Sequence, residues 1–380
     1  MSMTDRERFN ACMHFESVDH VPDEEFGYWE EVFPIWHEQG LPEWVTDNGK
    51  ADQYFGFATK GGLPGNIGIM PGYKTRVIEE DDRRILLEDG DGALKEVAKD
   101  GHSTIPRYLR FPIETKDDWK RFRDERFDSS NPDRRDIDWD SVIKQHEGHD
   151  YPLGLNCGSL FGWIRNWMGF ENVSIACVED PDWIEEMMDA ITDMVLTMLD
   201  DTISHAGHLG LDYASFWEDM AFNHGPIISP AMFERWLTPR YKKITDRLRE
   251  AGVDVCIVDC DGNINVVVEH WLAGGVNVMF PLEIRGGTDP VTIREKYGHD
   301  VLLAGGVDKT QLIEGKEAIR KELNRIESTI ADGGFIPHVD HRCPPDVTYD
   351  DYLYYVKTKR EMLGIPEPVS YEDRKAAGLV

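Results

Sequence analysis

Residues 211–283 read LDYASFWEDMAFNHGPIISPAMFERWLTPRYKKITDRLREAGVDVCIVDCDGNINVVVEHWLAGGVNVMFPLE. Three short apolar runs alternate in this stretch with two amphipathic segments of helical length. The runs lie at 211–217, 253–258 and 276–282, and the segments at 230–251 and 264–273. The runs are apolar on both faces, as strands are when helices cover both sides of a sheet. The stretch therefore predicts parallel strands joined by helices.

The same unit of strand and helix repeats from residue 151 towards the end of the chain. Further apolar runs lie at 151–156, 301–304 and 334–338, and further helical segments at 182–205, 290–297, 316–331 and 349–363. Six consecutive units predict an α/β fold, a (β/α)8 TIM-type barrel with earlier strands near 18–28 and in the region before 112. A doubly wound open sheet is the alternative. It is less favoured because the sequence contains no Gly-x-Gly-x-x-Gly and no Walker-type Gly-Lys-Ser/Thr motif.

Two additions to the barrel are expected before residue 112. Thr4 and Glu7 form a capping-box pattern, which predicts a short helix over 4–13. Residues 50–112 contain short alternating segments around Asp89-Gly90-Asp91-Gly92, and Asp-Gly pairs favour a hairpin turn because glycine tolerates positive φ. We therefore expect a single domain over residues 1–380, with an N-terminal helical extension and an antiparallel hairpin insertion at 50–112.

Charge and composition argue against several classes of protein, among them those that bind nucleic acid or span a membrane. The chain has 380 residues, with 41 Lys and Arg against 72 Asp and Glu, which gives a formal charge of −31. This acidity argues against nucleic acid and anionic membranes as partners, because surplus cationic side chains are needed to bind phosphates. The sequence has no apolar stretch of membrane-spanning length and no signal-peptide core, and its six cysteines form no CxxC pair. A reduced, cytoplasmic protein is therefore expected.

Polar side chains follow the strands of the expected barrel. In such a barrel the residues after each strand line the carboxyl-terminal mouth, where active sites are built. The positions there that can bind substrate, bind metal or transfer protons are Asn156, Glu218, His224, Asp259, Asp261, Glu283, His341 and Cys343. Several carboxylates facing one cavity repel each other unless they bind a cation or share protons. The mouth is therefore the expected functional site.

Two motifs in this set have the spacing of a metal site. Asp259-Cys260-Asp261 places carboxylates at i and i+2, so that both can point to the same side of an extended strand end. His341-Arg342-Cys343 has the same spacing with an imidazole and a thiol. Such a mixture of oxygen, nitrogen and sulfur ligands is compatible with zinc. The expected metal ligands are Asp259, Asp261, His341 and Cys343, with the last three alone as a second set.

Aromatic residues on the expected loops could form a stacking wall for an aromatic ring or a face for a methylated cation. Tyr28, Trp217 and Phe222 are among them. The alternative is that each of these rings packs in the core. The candidate substrate-binding residues are Tyr28, Asn156, Trp217, His224 and Glu283.

Five segments carry a resemblance to a known family. They are RERFNACMHFESVDHVP, FWEDMAFNHGPIISPAMFERWLTPRYKKI, VDCDGNINVVVEHWLAGGVNVMFPLE, VLLAGGVDKTQL and GGFIPHVDHRCPPDVTYDDYLYYV. Together they resemble the uroporphyrinogen decarboxylase superfamily, and its branch of cobalamin-dependent (corrinoid) methyltransferases more than the decarboxylase itself. The resemblance spans almost the whole chain, and it implies a distorted (β/α)8 barrel.

The resemblance also implies a zinc site. In the thiol-directed methyltransferases of this superfamily, a His-x-Cys motif before a glycine and a cysteine on the last barrel loop hold the metal. Those positions fall here on Asp259 and Asp261, and on His341 or Cys343, so the site has fewer thiolates than the family pattern. Asp, His and Cys remain acceptable zinc ligands. Glu218, on a neighbouring strand end, would complete the ligand set or act as a catalytic acid or base.

The function implied is a zinc-dependent methyltransferase that moves a methyl group between a small O-, S- or N-methyl compound and a separate corrinoid protein. The corrinoid is assigned to the partner because the chain has no Asp-x-His-x-x-Gly segment. Uroporphyrinogen decarboxylation is not expected, because the acidic segment 21–29 contains no arginine to bind the carboxylates of that substrate.

Two alternatives remain open. One is a metal-dependent decarboxylase or lyase acting on a small carboxylic acid, with Glu218 and the Asp259/Asp261 pair as catalytic acid and base. The other is a non-catalytic binding protein. A homodimer is one candidate assembly.

Overall fold

The computed structural model describes residues 2–99, 106–365 and 371–376. Its strands are β1 (Gly61–Leu63), β2 (Arg76–Glu80), β3 (Arg84–Glu88), β4 (Leu94–Ala98), β5 (Arg107–Arg110), β6 (Leu153–Asn156), β7 (Tyr213–Trp217), β8 (Ala221–Phe222), β9 (Gly225–Pro226), β10 (Cys256–Asp259), β11 (Val278–Phe280), β12 (Leu302–Val307) and β13 (Phe335–Val339). Seven of them form the central sheet in the order β1, β6, β7, β10, β11, β12, β13, and every neighbouring pair is parallel. The α/β fold and the parallel sheet predicted from the sequence are confirmed.

Helices cover the outside of this sheet. They are α1 (Asp5–Met13), α2 (Val32–Glu38), α3 (Asn48–Phe55), α4 (Lys116–Arg126), α5 (Trp139–His146), α6 (Phe161–Met168), α7 (Phe170–Glu179), α8 (Pro181–Ala206), α9 (Pro230–Trp236), α10 (Thr238–Glu250), α11 (Val268–Ala273), α12 (Pro290–Tyr297), α13 (Lys309–Ile313), α14 (Lys316–Asp332), α15 (Tyr349–Leu363) and α16 (Tyr371–Ala376). The single helix expected over 230–251 is two helices. Pro239 lies in the first turn of α10, where its missing N–H is tolerated, whereas it would interrupt one continuous helix. Within the described residues, no helix combines the length and apolar character of a membrane span.

An extended segment fills the gap between β13 and β1. The backbone N–H of Ala58, just before β1, donates to the carbonyl of Asp23, and that of Cys343, after β13, donates to the carbonyl of Gly27, at 2.8 and 2.9 Å. Tyr28 and Cys343 form a parallel bridge. The early strand expected near 18–28 is therefore present as extended chain with one bridge, while the described strands of the central sheet number seven.

Helix α1 covers the amino-terminal end of the strands. The Glu7 N–H donates to Thr4 Oγ1 at 3.2 Å and the Thr4 N–H donates to Glu7 Oε2 at 2.8 Å, which is the capping box that the sequence predicts. Its residues Phe9, Cys12 and Met13 pack on inward-facing side chains of the sheet, among them Val278 and Ile336. Because this end is filled with apolar side chains, the open end of the barrel is the carboxyl-terminal one.

The insertion between β1 and β6 is an antiparallel sheet of four strands, β2 to β5. The expected hairpin is present as β3 and β4, joined through the Asp-Gly pairs, and Gly92 has a φ of 87°. Strands β2 and β5 extend the hairpin on either side. Their residues are exposed throughout, so neither strand contributes a buried face to the core.

Candidate functional site

Asp261, Glu283 and His341 converge at the carboxyl-terminal mouth. One ligand atom of each lies within 4.8 Å of the ligand atoms of the other two. Asp261 and Glu283 follow the paired strands β10 and β11, and His341 follows β13. His341 Nε2 and Asp261 Oδ2 are 3.5 Å apart. The side chains come from loops more than twenty residues apart in sequence, and the parallel sheet brings these loops to one edge.

The loop after β10 needs glycine at position 262. Gly262 has a φ of 78°, and a Cβ there would lie 2.8 Å from the Ala221 carbonyl oxygen. Its N–H donates to Glu283 Oε2 at 2.9 Å and so fixes that carboxylate beside Asp261. Asp261 Oδ1 is buried and has no hydrogen-bond partner within the described residues. A buried carboxylate oxygen without a partner is costly, and a bound cation would remove that cost.

Glu283 and the neighbouring loops are held by Asp340. This wholly buried carboxylate accepts the N–H of Ile284 at 2.9 Å and the N–H of Lys309 at 3.0 Å. Lys309 Nζ lies 3.4 Å from both Glu283 Oε1 and Asp340 Oδ1. Leu282, just before Glu283, has a φ of 64°, which is uncommon for a residue other than glycine. Three loops are thereby tied together around the carboxylate of Glu283.

The imidazole of His341 lies between two aromatic rings. Trp29 stacks on it with centroids 5.5 Å apart and an interplanar angle of 28°, and Phe26 meets it edge-on at 5.2 Å. The His341 side chain is 18% exposed. Such packing fixes the plane of the ring, so that Nε2 points towards Asp261.

Asp259 lies beside this group, at the end of β10, and is half-buried. Burial raises its pKa to about 7, with further contributions from the negative charge of Asp261. It is not one of the three residues whose ligand atoms meet. Its predicted roles as a metal ligand and as a catalytic residue stay predictions.

Glu218 is placed differently from a group that meets substrate. It is fully buried under the start of α6, where it accepts the N–H groups of Leu160, Phe161 and Gly162 at 2.7, 3.0 and 2.9 Å. It also accepts the hydroxyls of Ser159 and Tyr241. Burial raises its pKa despite these donors. Its surroundings favour a role in anchoring α6 to the sheet over the predicted role in acid or base chemistry.

The predicted ligand Cys343 lies in the core, outside the group of three. Its N–H donates to the Gly27 carbonyl at 2.9 Å and its carbonyl accepts the Trp29 N–H at 3.2 Å. Its thiol lies 3.9 Å from the Pro344 carbonyl oxygen, and burial raises its pKa well above the ordinary value. The bridge to the segment 23–28 redirects the chain after His341, so the i and i+2 spacing does not bring imidazole and thiol to one site.

The five predicted substrate-binding residues lie in three different places. His224 and Glu283 line, with Asp219 and Asp261, a recess of about 420 Å³ at the mouth. Trp217 and Asn156 end neighbouring strands, and Asn156 Oδ1 accepts the Gly158 N–H at 2.8 Å. Tyr28 is buried, and its hydroxyl bonds to that of Tyr352 at 2.6 Å, so it packs in the core.

The three converging residues fit a divalent metal. They offer two carboxylates and one imidazole, and zinc accepts both ligand types. The unpartnered Asp261 Oδ1 and the hydrogen-bonded Glu283 carboxylate supply negative charge that the chain itself does not neutralise there, apart from Lys309. Sequence reasoning missed Lys309 as a neighbour of this site because no motif marks it.

Fold and geometry together describe a barrel-like α/β fold with three residues at its carboxyl-terminal edge that could hold a metal ion. The family model described as Uroporphyrinogen decarboxylase (URO-D) matches residues 100–362, more than half of the chain. The chain belongs to the URO-D family, as the resemblance implied.

Three similar proteins share between 15% and 22% of the aligned residues with this chain. A solved methyltransferase from Methanosarcina mazei is similar over 95% of this chain and 99% of that chain, with a TM-score of 0.58 and 15% identity. Uroporphyrinogen decarboxylase from Granulibacter bethesdensis is 21% identical over 167 residues, which are 44% of this chain and 46% of the relative. The Campylobacter jejuni enzyme of the same name is 22% identical over 192 residues, 48% of this chain and 50% of the relative. The chain thus spans about half the length of the curated relatives it matches.

Proposed function

We propose that the protein is a zinc-dependent methyltransferase that moves a methyl group between a small O-, S- or N-methyl compound and a separate corrinoid protein. The observation that carries this proposal is the group of Asp261, Glu283 and His341, with one buried oxygen of Asp261 lacking a partner. Membership of the URO-D family and the similarity to the Methanosarcina methyltransferase support it.

Each residue of the mouth has a proposed task. Asp261, Glu283 and His341 hold the metal, which when bound would act as a Lewis acid on the atom that carries the methyl group. Trp29 and Phe26 keep the His341 ring in place, and Asp340 keeps the Glu283 loop in place. Trp217, His224 and Asn156 remain the proposed substrate contacts, and Asp259 a proposed acid or base. We leave Cys343 out of the proposed ligand set because its thiol lies in the core.

The recess argues against uroporphyrinogen as the substrate. The acids that line it within the described residues are Asp219, Asp261 and Glu283. The two cations next to this lining are already paired, Arg165 with Asp219 and Lys309 with Glu283. The acids of the segment 23–25 are already paired with Lys60, Lys359 and Arg360 of the chain itself. A substrate with many carboxylates would be repelled from such a mouth.

The experiment combines metal content with methyl transfer. Protein purified without added metal is analysed for zinc, then mixed with free cob(I)alamin and a panel of O-, S- and N-methyl compounds while the cobalamin absorbance is followed. We expect about one zinc per chain, and a spectral change with at least one donor. His341→Ala should lose the zinc and reduce the rate by about 100-fold or more.

His299→Ala is the matched control. His299 also pairs with an aspartate, Asp332, at 3.2 Å, but it is 58% exposed and lies after α12, away from the loops of the mouth. This variant should keep the zinc and the rate. The proposal fails if wild-type protein holds no zinc, or if His341→Ala and His299→Ala behave alike.

A further inference from the structure

A second, larger cleft adjoins the recess at the mouth. It has a volume of about 880 Å³ and lies between the four-stranded insertion and helices α6 and α7. Tyr108 and Phe111 line it from the end of the insertion, and Phe170 lines it from α7. Asp219 and Phe222 line both this cleft and the recess that contains Asp261 and Glu283. The cleft and the recess therefore meet at Asp219 and Phe222, and the recess leads on to Asp261 and Glu283.

The walls of the cleft carry unusually exposed aromatic rings. Tyr108, Phe170 and Phe222 are 46%, 50% and 52% exposed. Phe170 and Phe222 meet edge to face, with centroids 5.5 Å apart, and Tyr108 stacks on Phe111 at 5.4 Å. Clustered exposed apolar surface of this kind marks binding sites. The faces of the rings also carry negative electrostatic potential, which attracts cations.

Lys95 Nζ lies 6.0 Å from the centroid of Tyr108 and is paired with Asp89, whereas the charged groups that line the cleft are mainly acidic. Asp91, Glu114 and Glu171 line the cleft and form no ion pair within the described residues. Arg165 is the basic side chain of the described lining, and it is paired with Asp219 at 2.8 Å. Burial and the neighbouring Asp89 raise the pKa of Asp91, while Lys95 acts to lower it. An anionic ligand would be repelled here, and a cation would gain a Coulombic attraction that a neutral ligand of the same shape lacks.

We propose that this cleft binds the positively charged end of the methyl donor, an ammonium or methylated ammonium group on the part of the molecule that does not react. The proposal rests on the proposed function, since it assigns the substrate class of the same mouth. The cation lies against Phe170 and Phe222, with Asp91 and Glu171 nearby, and the heteroatom that carries the transferred methyl group lies at Asp261, Glu283 and His341. The insertion therefore selects the substrate, and the barrel loops hold the reacting group.

The test uses three probes of nearly equal shape and different charge. They are choline, its neutral isostere 3,3-dimethylbutan-1-ol, and the anion 3,3-dimethylbutanoate. Their binding to the full chain is measured by calorimetry, with zinc and after chelation. We expect choline to bind about fivefold more tightly than the alcohol or better, and the anion to bind most weakly. Equal or tighter binding of the alcohol or the anion overturns the proposal.

Two variants locate the effect. Phe222→Leu keeps an apolar side chain but removes the ring, and Asp91→Asn removes one carboxylate. Each variant should reduce the affinity for choline about two- to fivefold and leave the affinity for the alcohol unchanged. Val178→Ala, an exposed change on α7 outside the cleft lining, should alter neither. If choline affinity does not change in Phe222→Leu or Asp91→Asn, the site is wrongly placed.

The outcomes for the two proposals differ. Charge preference without zinc binding or methyl transfer would leave the cation site standing and refute the methyltransferase. Zinc binding and methyl transfer without charge preference would support the methyltransferase and refute the cation site.

Discussion

Two groups of carboxylates differ in how their charges are balanced, one between α15 and the segment 23–25 and the other at the mouth of the barrel. In the first, which we call the buried ion cluster, Asp23 and Glu25 surround Lys359, whose side chain is 0% exposed. Lys359 Nζ lies 3.0 Å from Asp23 Oδ1 and 2.5 Å from Glu25 Oε1, and Arg360 Nε lies 2.5 Å from Asp23 Oδ2. Burial acts to raise the pKa of Asp23, but the two cations hold it below its ordinary value.

The second group is Asp261, Glu283 and His341 at the mouth. Their side chains are partly exposed, one Asp261 oxygen has no partner in the described chain, and the nearest cation, Lys309, is 3.4 Å from Glu283. The buried ion cluster supplies its own counterions and therefore serves the fold. The group at the mouth has Lys309 alone as a lysine or arginine ion-pair partner within the described residues, and this difference supports the metal site proposed there.

The largest effect is expected from removing the cation of the buried ion cluster. Lys359→Met leaves Glu25 and part of Asp23 buried without their partner, which should lower the free energy of unfolding by about 3–5 kcal/mol. Denaturant unfolding followed by tryptophan fluorescence measures this. Lys357→Met, on the same helix but 66% exposed, is the control and should change stability by less than about 0.5 kcal/mol.

A double variant keeps the prediction testable if Lys359→Met does not fold. Adding Glu25→Gln removes the uncompensated charge and should recover part of the lost stability. If Lys359→Met is as stable as Lys357→Met, Lys359 does not balance the charge of the buried ion cluster. The proposed difference between this cluster and the group at the mouth would then be wrong.

The second-largest change in unfolding free energy is expected when zinc is added to bind the group at the mouth. Zinc at 100 times its dissociation constant should stabilise the wild-type chain by about 2.7 kcal/mol, because it binds the folded state alone. Chelator-treated protein is unfolded with and without added zinc. His341→Ala should lose this stabilisation, while His299→Ala should retain it. Equal stabilisation of all three proteins would show that zinc binds elsewhere.

The repeated strand and helix units could be predicted from the sequence because both faces of the central strands are buried. The six runs from residue 151 contain β6, β7, β10, β11, β12 and β13, with boundaries shifted by a few residues. The segment 76–78, with which β2 begins, was also predicted, whereas the break at Pro239 and strand β5 were missed. A helix interrupted at Leu237 has the same apolar periodicity as an unbroken one, and the exposed strand β5 has no buried face to mark it in the sequence.

The site was harder to predict than the fold. Residues at strand ends can be assigned to the mouth, and the structure does bring Asp261 and His341 to 3.5 Å. The sequence could not show that Glu283 joins them, because its position depends on the Gly262 N–H from another loop. Nor could it show that Cys343 lies in the core and Glu218 under α6, since both depend on partners far away along the chain.

A smaller effect on stability and zinc affinity is expected from changing Asp340, which holds the loop that carries Glu283. Asp340→Asn replaces one acceptor oxygen by an NH2 group that faces a backbone N–H of Ile284 or Lys309. We expect a loss of about 1–3 kcal/mol in stability and a 10- to 100-fold weaker zinc affinity, because the Glu283 loop loosens. Zinc affinity is measured by competition with a chromophoric chelator.

Asp300→Asn, an exposed change after α12, serves as the control for this pair of measurements. Unchanged zinc affinity in Asp340→Asn would mean that the three loops keep their positions without this carboxylate.

The smallest change in unfolding free energy is expected from replacing Asp52, a carboxylate next to the buried ion cluster. Asp52 forms no ion pair within the described residues, and burial, with Glu25 and Glu24 nearby, raises its pKa from 3.8 to about 7, against the opposing charge of Lys359. Between these pH values the folded chain retains a proton that the unfolded chain has released, so this group's contribution to stability falls as pH rises from about 4 to 7. Asp52→Asn should therefore stabilise the protein by about 1–2 kcal/mol at pH 8 and by much less at pH 4, after allowance for solvent screening.

Unfolding free energies of wild type and Asp52→Asn at several pH values measure this difference. Asp47→Asn is unsuitable as a control because Asp47 caps α3, whereas Asp82→Asn changes an exposed carboxylate on the insertion and should show no such trend. A stabilisation of Asp52→Asn that does not grow with pH would mean that Lys359 also neutralises Asp52. The buried ion cluster would then be fully balanced, and the mouth would be the sole uncompensated group of the two.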